Sequence, residues 1–148
     1  MEEWKILDTG YETRVRRYFA TVAFVEHISA TLAKVAPGHC EMHVPYRHPI
    51  VQHHDAFYGG AVSAIANLAA GHSAMTLCAA DQEAVTVEYK ISFLGAGVGE
   101  TLIARGFVLK AGRVFTACRT DVYAAGRQGE RLFAMATSTW TLVPKADG

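Results

Sequence analysis

Two periods of apolar spacing divide this chain. Val15, Tyr18, Phe19, Val22 and Val25 recur at near-helical intervals, which predicts an amphipathic helix over residues 10–27. Thr9-Gly10-Tyr11-Glu12 reads as its capping box, and Arg14, Arg16 and Arg17 as its solvated face. Residues 31–36 and 39–44 read as two short strands around a Pro37-Gly38 turn. From Gly60 to about Ala79 the chain is apolar around most of a helical circumference, so that helix is expected to be buried on several sides. Beyond it Val85, Val87, Tyr89, Ile91 and Phe93 alternate with Thr86, Glu88, Lys90 and Ser92, the period-two pattern of a long strand. Three more strands are expected at about 100–110, 113–124 and 131–143. Ala111-Gly112 reads as a tight hairpin turn and Gly126-Arg127-Gln128-Gly129 as a looser one. This order predicts an α+β fold, a curved antiparallel sheet around one long central helix with an extra N-terminal helix.

Composition narrows the classes. With 148 residues and no repeat, low-complexity stretch or linker, the chain is expected to be one domain over 1–148. Lys plus Arg and Asp plus Glu both number 14, so no basic footprint points to nucleic acid or an anionic membrane. No apolar run approaches the roughly 18 to 20 residues of a membrane span. The start, MEEWKILDTG, lacks a basic segment followed by an apolar one, and the expected location is cytoplasmic. Cys40, Cys78 and Cys118 form no CxxC motif and are expected to be reduced and mostly buried. His39, His43, His48, His53 and His54 crowd together, but Pro37, Pro45 and Pro49 prevent the i,i+4 helical spacing of a zinc site. They read as solvated loop residues, and neither a metal nor a cofactor is expected.

Candidate chemistry concentrates in Gln52 to Gly71, QHHDAFYGGAVSAIANLAAG. His, Asp and Tyr side chains run into the pair Gly59-Gly60, which opens the apolar helix. Paired glycines let a ligand approach backbone closely, and the free amides of a helix N-terminus stabilise developing negative charge. That combination suits a carbonyl or oxyanion site; a tight turn serving geometry alone is the other reading. Only Ser63 and Asn67 interrupt the apolar helix. A buried amide without partners costs roughly 1 to 3 kcal/mol, so Asn67 is expected to face a polar cavity, a ligand or another chain; bonding to nearby backbone is the other reading. Ser63, one turn earlier on the same face, either joins that site or bonds back to the preceding turn.

The order of elements, VTVEYKISFL at 85–94 and KAGR at 110–113 resemble the hotdog fold, specifically the PaaI-like acyl-CoA thioesterases, over about residues 25–143. The resemblance implies a dimer or dimer of dimers with the active site at the subunit interface. It places Gln52 where a polar side chain positions the thioester or water, and Gly59 where a backbone N–H polarises the thioester carbonyl. Tyr58 takes the position of the motif's His, Asp55 that of its loop Gly, and Asn67 that of the helix Asp or Glu. The last departure matters most, because an amide can neither take a proton at neutral pH nor act as a good nucleophile.

Two functions of different class follow. In the first, a small or medium acyl-CoA or acyl-carrier thioester is hydrolysed: the Gly59 and Gly60 amides hold the carbonyl oxygen, Gln52 and Asn67 orient water, and His54 or Asp55 is the base. Tyr58 would supply a hydroxyl donor, and Lys110 and Arg113 at the turn, or Arg105 and Arg119, would meet the phosphates of CoA. In the second, the same pocket binds an acyl-CoA or apolar ligand without turnover. A hydratase-type enzyme fits less well, since a paired Asp and His at matching spacing are not seen.

Overall fold

The structure, a computed structural model, describes residues 3–147. Helix α1 (Tyr11–Thr21) and the short α2 (Ala23–His27) lead into strands β1 (Thr31–Ala36) and β2 (His39–Pro45). Two single 3-10 turns, His48–Ile50 and His53–Asp55, precede the long helix α3 (Gly59–Met75). Then come β3 (Gln82–Phe93), β4 (Thr101–Ala111), β5 (Phe115–Gly126) and β6 (Gly129–Pro144). The six strands form one antiparallel sheet in the order β1-β2-β4-β5-β6-β3, curved around α3, the α+β hotdog arrangement expected above.

Alternation explains how the sheet holds the helix. On β5, Thr116, Cys118, Thr120, Val122 and Ala124 are buried toward α3, while the residues between them face outward. Gly106 of β4 permits the closest approach: a Cβ there would lie 2.5 Å from the carbonyl oxygen of Ala69 in α3. Polar groups in this seam are paired, with the Thr120 hydroxyl donating to the Ala66 carbonyl and Ser73 accepting from the Cys40 amide. Cys40, Cys78 and Cys118 are free and buried, and burial pushes their thiols up to about 12, 11 and 12, which makes them inert.

Several local expectations are corrected. The N-terminal helix is interrupted at Val22, whose φ/ψ of −80°/105° is extended. The capping box does not form: Thr9 makes no capping bond, and Asp8 instead accepts from the Gly10 amide at 2.9 Å. Arg14 is not on a solvated face. Its guanidinium bonds Asp8 and the carbonyls of Met75, the last residue of α3, and of Cys78 just beyond it, where a cation offsets the helix dipole. Helix α3 ends at Met75 rather than near Ala79, and the two β-hairpins exchange character. Gly126 pairs with Gly129 across a two-residue turn, whereas three residues separate β4 from β5.

The correction with the widest consequence is in β3. The pairing with β6 slips between Thr86 and Glu88, so that Val87 is an extra residue. A slip of one residue reverses the facing of everything on one side of it. Tyr89 and Ile91 are therefore half-buried against the core, while Val85 and Val87 are exposed on a strand at the sheet's edge.

Candidate active site

The approach to α3 is built as a closed loop. Val51 bridges Phe57, the Gln52 amide donates to the Ala56 carbonyl at 2.7 Å, and the Phe57 amide to the Gly97 carbonyl at 2.7 Å. Between them His54 and Asp55 adopt left-handed backbone, with φ of 61° and 58°. Successive non-glycine residues there cost on the order of 1 kcal/mol each, and such strain clusters at functional sites. Asp55 thus occupies, with a glycine-like backbone, the position where the resemblance places a glycine. Its carboxylate accepts from the Tyr46 hydroxyl at 3.1 Å, a bond that raises the Tyr46 pKa. Asp55 is accordingly tied to Tyr46 and not to the neighbouring His54. Gln52, His53 and His54 are exposed.

Tyr58 is the N-cap residue of α3, exposed and with no side-chain capping bond. The first helical bond runs from the Val62 amide to the Tyr58 carbonyl, so the amides of Gly59, Gly60 and Ala61 stand before the intrahelical ladder. The Tyr58 ring covers Gly60, where a Cβ would meet Tyr58 Cε1 at 2.5 Å. Phe93 flanks Gly59, with its Cζ 3.4 Å from where a Cβ would stand. Two exposed aromatic rings therefore border a helix end whose donors point outward.

One turn further in, the polar face of α3 meets β3. The Ser63 hydroxyl donates to the Tyr89 hydroxyl at 3.2 Å, and the Tyr89 hydroxyl donates to the Ser63 carbonyl at 3.1 Å. Asn67 lies one turn beyond on the same face. Its Oδ1 is buried and has no hydrogen-bond partner among the described residues. A buried carboxamide oxygen left in this condition carries a desolvation cost of about 1 to 3 kcal/mol that no bond within the described residues offsets.

Not every expected residue joins this site. Lys110 and Arg113 lie at the β4–β5 hairpin, and Thr101, at the opposite end of β4, is the end beside the loop. Eleven residues of strand separate the two ends by about 35 Å, so within one protomer these cations do not reach the α3 N-terminus. The crowded histidines are not all loop residues either. His39 and His43 are on β2, where His39 bonds the Gly106 carbonyl and stacks on Phe107, and His43 bonds Glu41. No group of three or more His, Cys, Asp or Glu positioned to hold a metal is found among the described residues, and no helix is long and apolar enough to cross a membrane.

Sequence reasoning missed Tyr46, Tyr89 and Phe93. Tyr89 and Phe93 fall among the alternating apolar positions of β3, and the available signal was that a tyrosine on an apolar face brings a hydroxyl needing a partner. Tyr46 left no such signal, because its partner Asp55 returns to it only through the left-handed turn.

The chain can now be placed among known proteins. The sequence family described as the thioesterase superfamily matches residues 54–130. A thioesterase family protein from Silicibacter pomeroyi is 31% identical, with a TM-score of 0.89 over 92% of this chain and 100% of that one. The PaaI protein of the E. coli phenylacetic acid degradation operon is 15% identical, with a TM-score of 0.81 over 95% and 98%. A thioesterase from Haemophilus influenzae is 14% identical, with a TM-score of 0.80 over 94% of each chain. No curated protein matches the sequence. With its family match covering more than half the chain, from the strained loop through α3 to the β5–β6 hairpin, this protein belongs to the thioesterase superfamily.

Proposed function

We propose that the protein hydrolyses the thioester of a small or medium acyl-CoA or acyl-carrier substrate at the N-terminus of α3. The observation that supports this most is the buried, unpartnered Oδ1 of Asn67 behind the free amides of Gly59 and Gly60, in a chain of the thioesterase superfamily. The thioester carbonyl oxygen would rest on those amides. Negative charge that develops there as water attacks is stabilised by donors already in place. Gln52 and Asn67 orient the water, whose oxygen bonds to the carbonyl carbon as the C–S bond breaks and the thiolate leaves. The water's proton passes to His54 or Asp55, since neither an amide nor the Ser63 hydroxyl accepts one at neutral pH. Tyr58 offers a hydroxyl at the mouth. A rate below that of a site with a helix carboxylate is expected.

Self-association belongs to the same reading. Strand β3 is an edge of the sheet, and Val85 and Val87 are 44% and 52% exposed on it. A second copy paired there would cover them, satisfy the edge's backbone groups and close the space beside Tyr89 and Asn67. The resulting dimer, or dimer of dimers, would also bring a partner's basic hairpin toward the site.

The alternative is binding of an acyl-CoA or apolar ligand without turnover, favoured by the tie between Asp55 and Tyr46 and by the amide at position 67. Release of free thiol from an acyl-CoA by wild type, His54→Ala and Asp55→Asn separates the two. Hydrolysis that falls by orders of magnitude in either variant identifies an enzyme and its base. Ligand affinity with no thiol release in wild type establishes the binder.

A further inference from the structure

We propose that a cleft between the β5–β6 hairpin and the segment Ala96–Val98 holds the phosphate-bearing carrier portion of the thioester. This inference rests on the thioester reading above. The cleft has a volume of about 300 Å3 and is lined by Val98, Arg127, Gln128, Glu130 and Arg131, with Gly126 and Gly129 forming an open rim. Its charge is unevenly compensated. Glu130 is taken up by Arg105, which grips it with two bonds of 2.6 and 2.9 Å and is held in turn by Glu41 at 2.7 Å. Among the described residues neither Arg127 nor Arg131 is in an ion pair, and Arg131 spends one N–H on the Ala96 carbonyl at 2.8 Å. Arg127, Arg131 and Gln128 therefore line one polar hollow with most of their side-chain donors unused, the donor set that planar and bidentate phosphate recognition requires.

Location links the hollow to the α3 N-terminus. Val98 in its wall bridges Ala56, and the adjacent Gly97 carbonyl receives the Phe57 amide. From Ala56 to Gly59 the chain spans at most about 11 Å. An extended ligand with its thioester carbonyl on the Gly59 and Gly60 amides can lay its anionic end against the same segment that backs the loop. Lys110 and Arg113, at the other end of β4, cannot serve that purpose within the protomer. The shared chemistry is a phosphate ester on a pantetheine arm, which occurs both in CoA and on a carrier protein.

The test pairs binding of free CoA, measured by calorimetry, with hydrolysis of one acyl group on three carriers: CoA, phosphopantetheine and phosphate-free pantetheine. In Arg127→Gln/Arg131→Gln, CoA affinity is expected to fall and the KM for acyl-CoA to rise about 10- to 100-fold, with kcat unchanged. Acyl-pantetheine turnover is expected to stay at the wild-type value, which also shows that the variant folds. Arg127→Gln alone should give a smaller loss in the same direction. A loss retained with acyl-phosphopantetheine assigns the cleft to the phosphate common to both carriers; a loss confined to acyl-CoA assigns it to the nucleotide phosphates. Unchanged CoA affinity and KM, or an equal loss on phosphate-free pantetheine, overturns the proposal. Arginine-dependent CoA binding without any hydrolysis would remove the hydrolase reading and keep the cleft. Hydrolysis with an arginine-independent KM would do the reverse, and absence of both hydrolysis and CoA binding removes both.

Discussion

Tyr89 and Ser63 lock β3 to α3 through a reciprocal pair of bonds, hydroxyl to hydroxyl at 3.2 Å and hydroxyl to carbonyl at 3.1 Å. The pair sits one turn before Asn67, on an edge strand that is paired on its β6 side alone. Burial raises the Tyr89 pKa, so the phenol keeps its proton and its donor role across the physiological range. Tyr89→Phe removes both bonds without changing the ring's packing. It is expected to cost about 1 kcal/mol in urea denaturation and to lower kcat/KM several-fold. An unchanged kcat/KM would show that the Ser63–Asn67 face is not part of the substrate site.

Asn67→Asp places a carboxylate on the buried face that now holds an unpartnered amide oxygen. General-base assistance is worth about 100- to 10,000-fold, and thioester hydrolysis is expected to rise if the remaining groups are arranged for it. Burial of a new charge should at the same time lower stability. Steady-state rates of the two proteins on one acyl-CoA decide this, and a fall in the variant would mean that the amide has its own role in orienting water.

His72 supplies a pH dependence independent of the site. It is buried beside Tyr18 and Phe19, with Nδ1 on the Leu68 carbonyl and no partner for Nε2 among the described residues. Burial lowers its pKa from 6.5 to about 4, outweighing the opposing effect of the Leu68 bond. The unfolded chain therefore takes up this proton first as pH falls. Stability should be level above pH 6.5 and decline by roughly 3 kcal/mol between 6.5 and 4, the neutral imidazole being the folded form. Denaturation midpoints of wild type and His72→Gln over that range test it: the variant should lack the decline, and an equal decline in both would assign it elsewhere. Glu41 acts in a lower window. Burial would raise its pKa, but the bonds from Arg105 and His43 prevail and lower it, so its contribution is lost only as pH falls below 4.5.

How much of this could be read from the chain depends on the range of the interactions. The central helix was legible because Ala, Val, Ile and Leu surround it on nearly all sides, and the hairpins because glycine marks their turns. The resemblance then supplied a place for Gln52, Gly59 and Asn67. The slip at Val87 was not legible, since an extra residue in one strand leaves the alternation looking intact while reversing which side faces the core. Nor was the distance of Lys110 and Arg113 from the loop, which depends on strand direction. Arg14 looked solvated because its partners are backbone carbonyls 61 and 64 residues away, and every residue has a carbonyl.

Arg14 gives that lesson a measurable form. Arg14→Ala removes the bonds to Asp8, Met75 and Cys78 together and leaves the end of α3 without its cation. A loss of about 2 to 4 kcal/mol in chemical denaturation is expected, charge-assisted bonds to partly buried carbonyls being the stronger kind. A change below about 0.5 kcal/mol would return Arg14 to the status of an ordinary surface residue.

The central claim is that thioester hydrolysis takes place on the amides at the start of α3, and the rate of thiol release from an acyl-CoA by wild type and Gly60→Val measured side by side tests it most directly. A side chain at position 60 must displace the Tyr58 ring, which lies 2.5 Å from where its Cβ would stand, and it fills the approach to the Gly59 and Gly60 amides. Wild type is expected to release free CoA, and Gly60→Val to be slower by about 100-fold or more, the scale of losing oxyanion donors, while retaining the wild-type circular dichroism spectrum. Equal rates in the two proteins, or no release by wild type, would contradict the account.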